Sequence, residues 1–134
     1  HLKQLLAGHA VEKPIYDFAT HTRSPETEKV VPQKIILIEG ILLLHHPELR
    51  ELLDIKIFID ASEEHRLLRR IERDMRERGR TLDSIRTQYL ETVAPMYHKY
   101  VHPSKEYANI IVPYNSENTV ALQLLLSRLN THVG

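Results

Sequence analysis

The sequence contains no cysteine and no apolar run long enough to cross a membrane. Without cysteine the chain cannot form disulfide bonds or thiolate metal sites, and this composition fits a reducing cytoplasm. Its longest apolar stretch, residues 35–38 and 41–44, is far shorter than the roughly 20 residues of a membrane-spanning helix. No segment has the pattern of a signal peptide. We therefore expect a cytoplasmic protein with no membrane partner.

An excess of charge is also missing, and glycine is scarce. The 134 residues carry 18 basic and 18 acidic side chains, so the formal net charge is zero. Domains that bind nucleic acid are typically strongly basic, so we expect no nucleic acid partner. The four glycines form no Gly-x-x-x-x-Gly-Lys-Ser/Thr loop of the kind that binds phosphate. The length suits one domain, but residues 1–6 look like the end of a helix, which suggests a fragment.

Arginine, in contrast, is concentrated in one stretch. Seven arginines lie between Arg66 and Arg80, and on a helix several of them recur every three or four residues and share one face. A guanidinium group matches the planar edge of a phosphate or carboxylate, so this face could bind an oxyanion. The alternative is a solvated helix, whose arginines pair with acids four residues away. The pairs at that spacing are Glu72 with Arg76 and Arg70 with Asp74.

Strands and helices alternate along the predicted order of elements, which favours an α/β fold with a parallel sheet. The strongest strand signal is the β-branched apolar run Lys34–Gly40, typical of a strand buried on both faces. Ligands gather outside the carboxyl ends of parallel strands, so Glu39 would lie where a ligand or metal is met. The expected strands cover 15–18, 27–31, 34–40, 55–60 and 109–113, and the expected helices cover 1–8, 41–53, 62–79, 82–100 and 120–129.

The helix that carries the arginines has clear end signals. Ser62 is expected to cap its first turn and Gly79 to end it in a left-handed turn. Its apolar side chains recur at helical spacing, so we expect them to face the core. They are Leu67, Leu68, Ile71 and Met75.

A set of short segments follows in a fixed order over essentially the whole chain. They are Pro14–Phe18 with His21 and Arg23, Glu39–Leu42, Arg69–Asp74, Glu77–Arg80, Gln88 with Tyr89, Pro95, Pro103–Lys105 and Ile110–Pro113. In this order and spacing the chain resembles the uridine kinase (uridine-cytidine kinase) family. The resemblance implies the fold of P-loop kinases, with a parallel sheet, flanking helices and a β-hairpin excursion, and with the N-terminal βαβ portion missing. It also implies a single incomplete kinase domain over 1–134, with a nucleoside-binding hairpin at about 10–32 and a lid at about 66–95.

Members of that family transfer the γ-phosphoryl group of ATP to uridine or cytidine, so the resemblance implies ATP, Mg²⁺ and a pyrimidine nucleoside as ligands. It assigns Tyr16, Phe18 and His21 to the pyrimidine and Glu39 to the magnesium. An aromatic pair with an imidazole is a typical composition for a small-ligand pocket. Read without the resemblance, the same residues are ordinary strand and loop positions, and Glu39 is an acid that caps a turn.

The resemblance divides the arginines between two tasks. Arg70, Gln88 and Arg80 correspond to nucleoside contacts. Arg73 and Arg78 correspond to lid arginines that meet the triphosphate, where they would stabilise the charge of the transferring group. The remaining arginines, Arg66, Arg69 and Arg76, are left as solvated or structural.

The phosphate loop of the family is absent from this chain. Two acids are absent as well, one that would take the 5′-hydroxyl proton and one that would bind the ribose, which the family places before the point where this chain begins. Because backbone amides and a lysine of that loop position the phosphates, we expect this chain alone to be inactive. Two alternatives stay open: a non-catalytic nucleoside-binding or regulatory module, and another kinase of the superfamily related to phosphoribulokinase or pantothenate kinase. The cluster of Tyr16, Phe18 and His21 favours a pyrimidine. Exposed sheet edges and core would make a monomer unstable, so we expect a homo-oligomer.

Overall fold

The computed structural model describes residues 1–17, 22–114 and 118–133, except for the side chains of Asp17 and of residues 131–133. The chain divides into two compact units. One unit comprises His1–Ile38 with Leu125–Gly134, and the other comprises Glu39–Leu124.

The first unit contains a helix and a β-hairpin. Helix α1 (Leu2–Leu6) ends before Gly8, whose φ of 83° is a left-handed conformation that glycine adopts without strain. Strands β1 (Val11–Asp17) and β2 (Thr22–Val30) then pair antiparallel. The register shifts between Pro14 and Tyr16, because proline has no backbone N–H to give to the ladder. The predicted hairpin excursion is therefore confirmed, with longer strands than expected.

Two polar contacts cross the hairpin. The Thr27 hydroxyl donates to the Glu12 carboxylate at 2.8 Å, and Lys13 pairs with Glu28 at 2.8 Å. Both contacts are exposed, so each adds little to stability.

The second unit alternates short strands with helices. Its parallel pair joins β3 (Ile57–Asp60) and β4 (Ile110–Pro113) in register from Ile57 opposite Ile110. The Asn109 side chain accepts the backbone N–H of Lys56 at 2.9 Å, which continues the pairing by one position. The predicted α/β class with a parallel pair is confirmed. The helices of this unit are α2 (Pro47–Arg50), α3 (Glu63–Arg78), α4 (Leu82–Gln88) and α5 (Ala94–Met96). Helix α6 (Thr119–Val133) begins in this unit, and its residues from Leu125 onward belong to the first.

The strand predicted over Lys34–Gly40 is wrong. These residues form no strand, and Leu37 within them is 90% exposed. A strand needs a neighbour to complete its backbone hydrogen bonds, and in the described part of the chain β3 and β4 pair with each other instead. The helix expected over 41–53 is also mostly absent, since residues 41–45 form turns and only α2 is helical.

Helix α3 begins and ends where the sequence predicts. The Ser62 hydroxyl accepts the His65 backbone N–H at 3.4 Å, and Gly79 ends the helix with a φ of 60°. The expectation that its apolar face is buried holds only in part: Leu67 and Ile71 are half-buried, but it is wrong for Leu68, which is 60% exposed, and for Met75, which is 48% exposed.

The helical region expected over 82–100 is confirmed as a chain of short helices. Two π-helical segments, Tyr89–Val93 and Tyr97–Val101, flank α5. Pro95 lies in α5 and has no N–H for the ladder of the preceding turn, and such a loss distorts a helix locally. A 3-10 helix over Pro103–Tyr107 then leads to β4.

Candidate functional site

Four arginines surround one buried carboxylate near the end of α3. The carboxylate belongs to Asp74, whose side chain is fully buried. The arginines come from α3 and from the turn that follows it, and we call this group the Asp74 cluster. Its members are Asp74, Arg70, Arg73, Arg78 and Arg80.

The two oxygens of Asp74 divide the arginines between them. Oδ1 accepts Nε of Arg73 at 3.0 Å and Nη2 of the same side chain at 2.8 Å. It also accepts Nη1 of Arg78 at 3.2 Å. Oδ2 accepts Nη1 of Arg80 at 3.4 Å and lies 3.6 Å from Nη2 of Arg70.

Local structure explains why these side chains meet. Arg70, Asp74 and Arg78 follow at four-residue spacing, which places them on one face of α3. The left-handed turn at Gly79 then reverses the chain, and the N–H groups of Gly79 and Arg80 both donate to the Asp74 carbonyl. This reversal brings the side chain of Arg80 beside the Asp74 carboxylate.

Helix α4 adds polar groups to the cluster. The Thr81 hydroxyl caps α4 by accepting the Ser84 N–H at 3.3 Å. Gln88, one residue before the first π segment, accepts Arg70 Nη2 at 2.5 Å and Arg80 Nη1 at 2.6 Å through Oε1. Arg80 also donates to the Ser84 hydroxyl at 3.0 Å. A shallow groove lined by Arg80, Ser84, Thr87 and Gln88 lies beside these contacts.

The electrostatics of the Asp74 cluster favour an ionised carboxylate. Burial raises the pKa of Asp74, but the hydrogen bonds and charge of Arg73, followed by other arginines of the cluster, outweigh burial and hold that pKa below its usual value. Burial lowers the pKa of Arg70, and the charge of Asp74 opposes this shift.

The arginines keep capacity for a further anion. Within the five residues of the Asp74 cluster, four positive charges face one negative charge, which leaves three positive charges. The Nε of Arg70 is buried without a hydrogen-bond partner. The side chains of Arg73 and Arg78 are 45% and 39% exposed, so they can reach a ligand in solvent. The arrangement can therefore bind an oxyanion such as phosphate.

The other arginines of the stretch lie outside the cluster. Arg66 stacks over the Tyr97 ring at 3.5 Å, and Arg76 pairs with Glu77 at 2.7 Å. The predicted pair of Arg70 with Asp74 therefore forms, and it forms inside a cluster of converging arginines. The binding of an oxyanion stays a prediction.

The structure describes only some of the residues predicted to bind the pyrimidine and the metal. Tyr16 lies on β1 opposite Arg23 and is 47% exposed, whereas Phe18 and His21 lie outside the described residues. Glu39 is exposed in an irregular segment and does not end a strand as expected. Among the described residues, no group of three or more histidines and acids could hold a metal ion.

Sequence reasoning missed the central role of Asp74 and the contact of Ser84. The signal for Asp74 was available, since it lies four residues from both Arg70 and Arg78. Nothing in the spacing indicates that the acid would be buried. Ser84 carries no signal beyond its place in the first turn of α4.

Known proteins match this chain over most of its length. The sequence profile of the family described as "Phosphoribulokinase / Uridine kinase family" matches residues 1–121. A protein named uridine kinase from Ligilactobacillus salivarius is 54% identical over 128 residues, which cover 96% of this chain and 60% of that protein. The uridine kinase of Lactococcus lactis subsp. cremoris strain MG1363 is 51% identical over 128 residues, 96% of this chain and 62% of that protein.

A less similar relative matches the whole length of this chain. The uridine kinase of Clostridium perfringens is 45% identical over 134 residues, which cover all of this chain and 64% of that protein. The chain thus spans about three fifths of the length of these relatives. In the described part of the chain, no helix combines the length and apolar character needed to cross a membrane. Because the family profile covers most of its residues, the chain belongs to the phosphoribulokinase/uridine kinase family.

Proposed function

We propose that the protein to which this chain belongs is a cytoplasmic, homo-oligomeric kinase of pyrimidine salvage. It uses ATP to phosphorylate uridine and cytidine to UMP and CMP. The observation that carries the proposal is the Asp74 cluster with Gln88, found in a chain about half identical to proteins named uridine kinase. The whole of residues 1–134 would be one incomplete kinase domain.

The cluster suits phosphoryl transfer because that reaction depends on positioning and on neutralising charge. Negative charge spreads over the oxygens of the transferring group, and fixed guanidinium groups stabilise it. In our proposal Arg73 and Arg78 meet the phosphates, which agrees with their exposure. Arg70 and Arg80 bind the nucleoside together with Gln88, and the shared Gln88 oxygen supports this pairing.

The remaining assignments rest on the family resemblance. Tyr16, Phe18 and His21 bind the pyrimidine, and Glu39 contributes an oxygen to Mg²⁺. A magnesium ion that bridges phosphates needs only one or two protein carboxylates, so one exposed acid such as Glu39 fits this role. When bound with ATP, Mg²⁺ neutralises part of the phosphate charge. This chain alone is expected to be inactive because it has no phosphate loop.

That missing phosphate loop also favours a second candidate, a nucleoside-binding or regulatory module without catalysis. A third candidate is another small-molecule kinase of the family, since the family description includes phosphoribulokinase. Binding measurements separate the three candidates.

Calorimetric titration of uridine, cytidine, ribulose 5-phosphate and ATP into this chain is the first test. We expect pyrimidine nucleosides to bind and ATP to bind weakly or not at all. The second test is UMP formation from uridine, ATP and Mg²⁺ by the natural polypeptide in which this chain occurs. Uridine binding without UMP formation there would select the module, and binding of the sugar phosphate alone would select the other kinase. Absence of nucleoside binding in both forms would overturn the pyrimidine assignment.

A further inference from the structure

Asp74 is the one buried acid among the described residues, and the function proposed above gives it no task. An ionised carboxylate is costly to bury unless it is paired and hydrogen-bonded. Here all four neighbouring cations point at it, and both of its oxygens are used. Such a complete set of partners indicates that Asp74 has a structural task in the cluster.

That task is to hold the four arginines close together. Four guanidinium groups repel each other, and each lies on a long side chain with many rotamers. A central carboxylate removes both obstacles, because it attracts all four groups and fixes each by direct contact. The backbone of the same residue holds the turn, since its carbonyl accepts the N–H groups of Gly79 and Arg80.

We propose that Asp74 is a positioning residue, which fixes Arg70, Arg73, Arg78 and Arg80 as one array before any phosphate arrives. In this array Arg73 and Arg78 are presented to the oxyanion, and Arg70 and Arg80 are held beside Gln88. The identity of the oxyanion as the polyphosphate of ATP rests on the proposed function. The array itself follows from the contacts of the Asp74 cluster.

Preassembly increases the affinity for phosphate, because the arginine side chains are already ordered before the ligand binds. If these side chains were free, an incoming phosphate would have to order Arg73 and Arg78, and the lost rotamer freedom would weaken binding. With Asp74 in place, Arg73 already uses Nε and one Nη2 contact on Oδ1, and its remaining N–H groups stay available. The three positive charges left in the cluster then attract the ligand.

The test uses inorganic tripolyphosphate as the probe and this chain as the protein. Calorimetric titrations at constant ionic strength compare wild type with Asp74→Asn and with Glu72→Gln. Glu72 lies on the same helix and is exposed, so its variant removes one negative charge without touching the Asp74 cluster. If Asp74 positions the arginines, we expect Asp74→Asn to bind tripolyphosphate about tenfold more weakly, and Glu72→Gln to bind as tightly as wild type or slightly tighter.

Opposite results overturn the inference. If Asp74 acted only through charge, both variants would bind tripolyphosphate more tightly, because each gains one unit of net positive charge. Failure of wild type to bind tripolyphosphate would also reject the array. Circular dichroism of each variant checks folding, and Asp74→Glu, which keeps the charge, should recover part of the affinity.

A measurement on wild type alone guards against variants that do not fold. In ¹⁵N spectra of the ligand-free chain, the Nε–H signal of Arg73 should exchange slowly with water, whereas that of exposed Arg76 should not. Equal, fast exchange for the two arginines would overturn the inference.

The outcomes also separate this inference from the proposed function. Tripolyphosphate binding that depends on Asp74, in a protein that binds no uridine, would retain the array and reject the kinase assignment. UMP formation by the natural polypeptide with equal activity in Asp74→Asn and Glu72→Gln would retain the kinase and reject the array.

Discussion

At the scale of single residues, the arginines of the Asp74 cluster differ in what surrounds them. Arg70 has a side chain that is 19% exposed, and its contacts are to Asp74 and Gln88. Arg73 is more than twice as exposed, although it holds Asp74 with two hydrogen bonds. Arg76, three residues further along α3, pairs with Glu77. These differences lead to separate expectations for each position.

Replacing Arg73 should reduce catalysis far more than replacing Arg76. In Arg73→Gln a charge near the transferring phosphate is lost, and under the proposed function we expect the rate of UMP formation to fall by about 100-fold or more. Arg76→Gln removes the same charge from the same helix and should leave the rate within about twofold. Steady-state kinetics of the natural polypeptide measures both, and similar losses in the two variants would contradict the role of Arg73.

The buried charge of Asp74 also predicts a dependence of stability on pH. The pKa of this carboxyl is lower in the folded chain than its value of about 3.9 in unfolded chains. The resulting stability is fully present above that unfolded value and is lost as the pH falls toward the lower folded pKa. Urea unfolding between about pH 7 and about pH 3 should therefore show a loss of stability at the acidic end.

Asp74→Asn supplies the control, because it cannot ionise. Its unfolding free energy should be lower than that of wild type at neutral pH and should change less below about pH 4. An equal acidic loss in wild type and variant would assign the effect to other carboxyls.

At the scale of elements, the turn between α3 and α4 determines whether the cluster can form. Gly79 takes a left-handed conformation, and the turn brings the Arg80 N–H to the Asp74 carbonyl at 3.1 Å. Thr81 then starts α4, which places Ser84 and Gln88 beside Arg80. A second contact joins α3 to the π-helical segment that follows α4, since the Tyr89 hydroxyl donates to Glu63 at 2.7 Å.

Gly79→Ala should destabilise the chain by about 1 kcal/mol, because a Cβ makes this left-handed conformation unfavourable. No atom lies within 4 Å of the added Cβ, so the cost is conformational and not steric. Gly79→Asn is the matched variant, since asparagine tolerates the same backbone conformation better. Urea unfolding compares the three chains, and equal stability of the alanine and asparagine variants would contradict the explanation.

The elements also show what can be predicted from sequence. The ends of α3 follow from Ser62 and Gly79, whose effects are local and need no knowledge of the rest of the fold. The failure over Lys34–Gly40 has the opposite origin, since a strand depends on a partner strand that is often distant in the sequence. Residue spacing cannot predict the burial of Asp74 either. That burial depends on Arg80, which the turn at Gly79 brings back beside Asp74. The arginine positions assigned by family resemblance do converge, whereas their roles stay predictions.

At the scale of the whole molecule, both units carry many exposed apolar side chains. Leu37 in one unit is 90% exposed, and Ile41 in the other is 78% exposed. Few apolar side chains are buried in the described residues, namely Val11, Leu44 and Ile85. Exposed apolar surface of this kind promotes association.

We therefore expect this chain to self-associate in solution. Sedimentation velocity over a range of concentrations should show species larger than the 15.7 kDa monomer, and their fraction should grow with concentration. Added salt should not dissociate these species, because apolar contacts are not screened. A single monomeric species at all concentrations would contradict the expected homo-oligomer.

The Asp74 cluster has one further property, which concerns how the chain folds. Its longest side-chain contact, from Arg70 to Gln88, joins residues only 18 positions apart. Closing so short a loop loses little chain entropy, and contacts between near neighbours in sequence form early. The cluster can therefore assemble from one continuous segment as soon as that segment leaves the ribosome, before β4 is available to pair with β3.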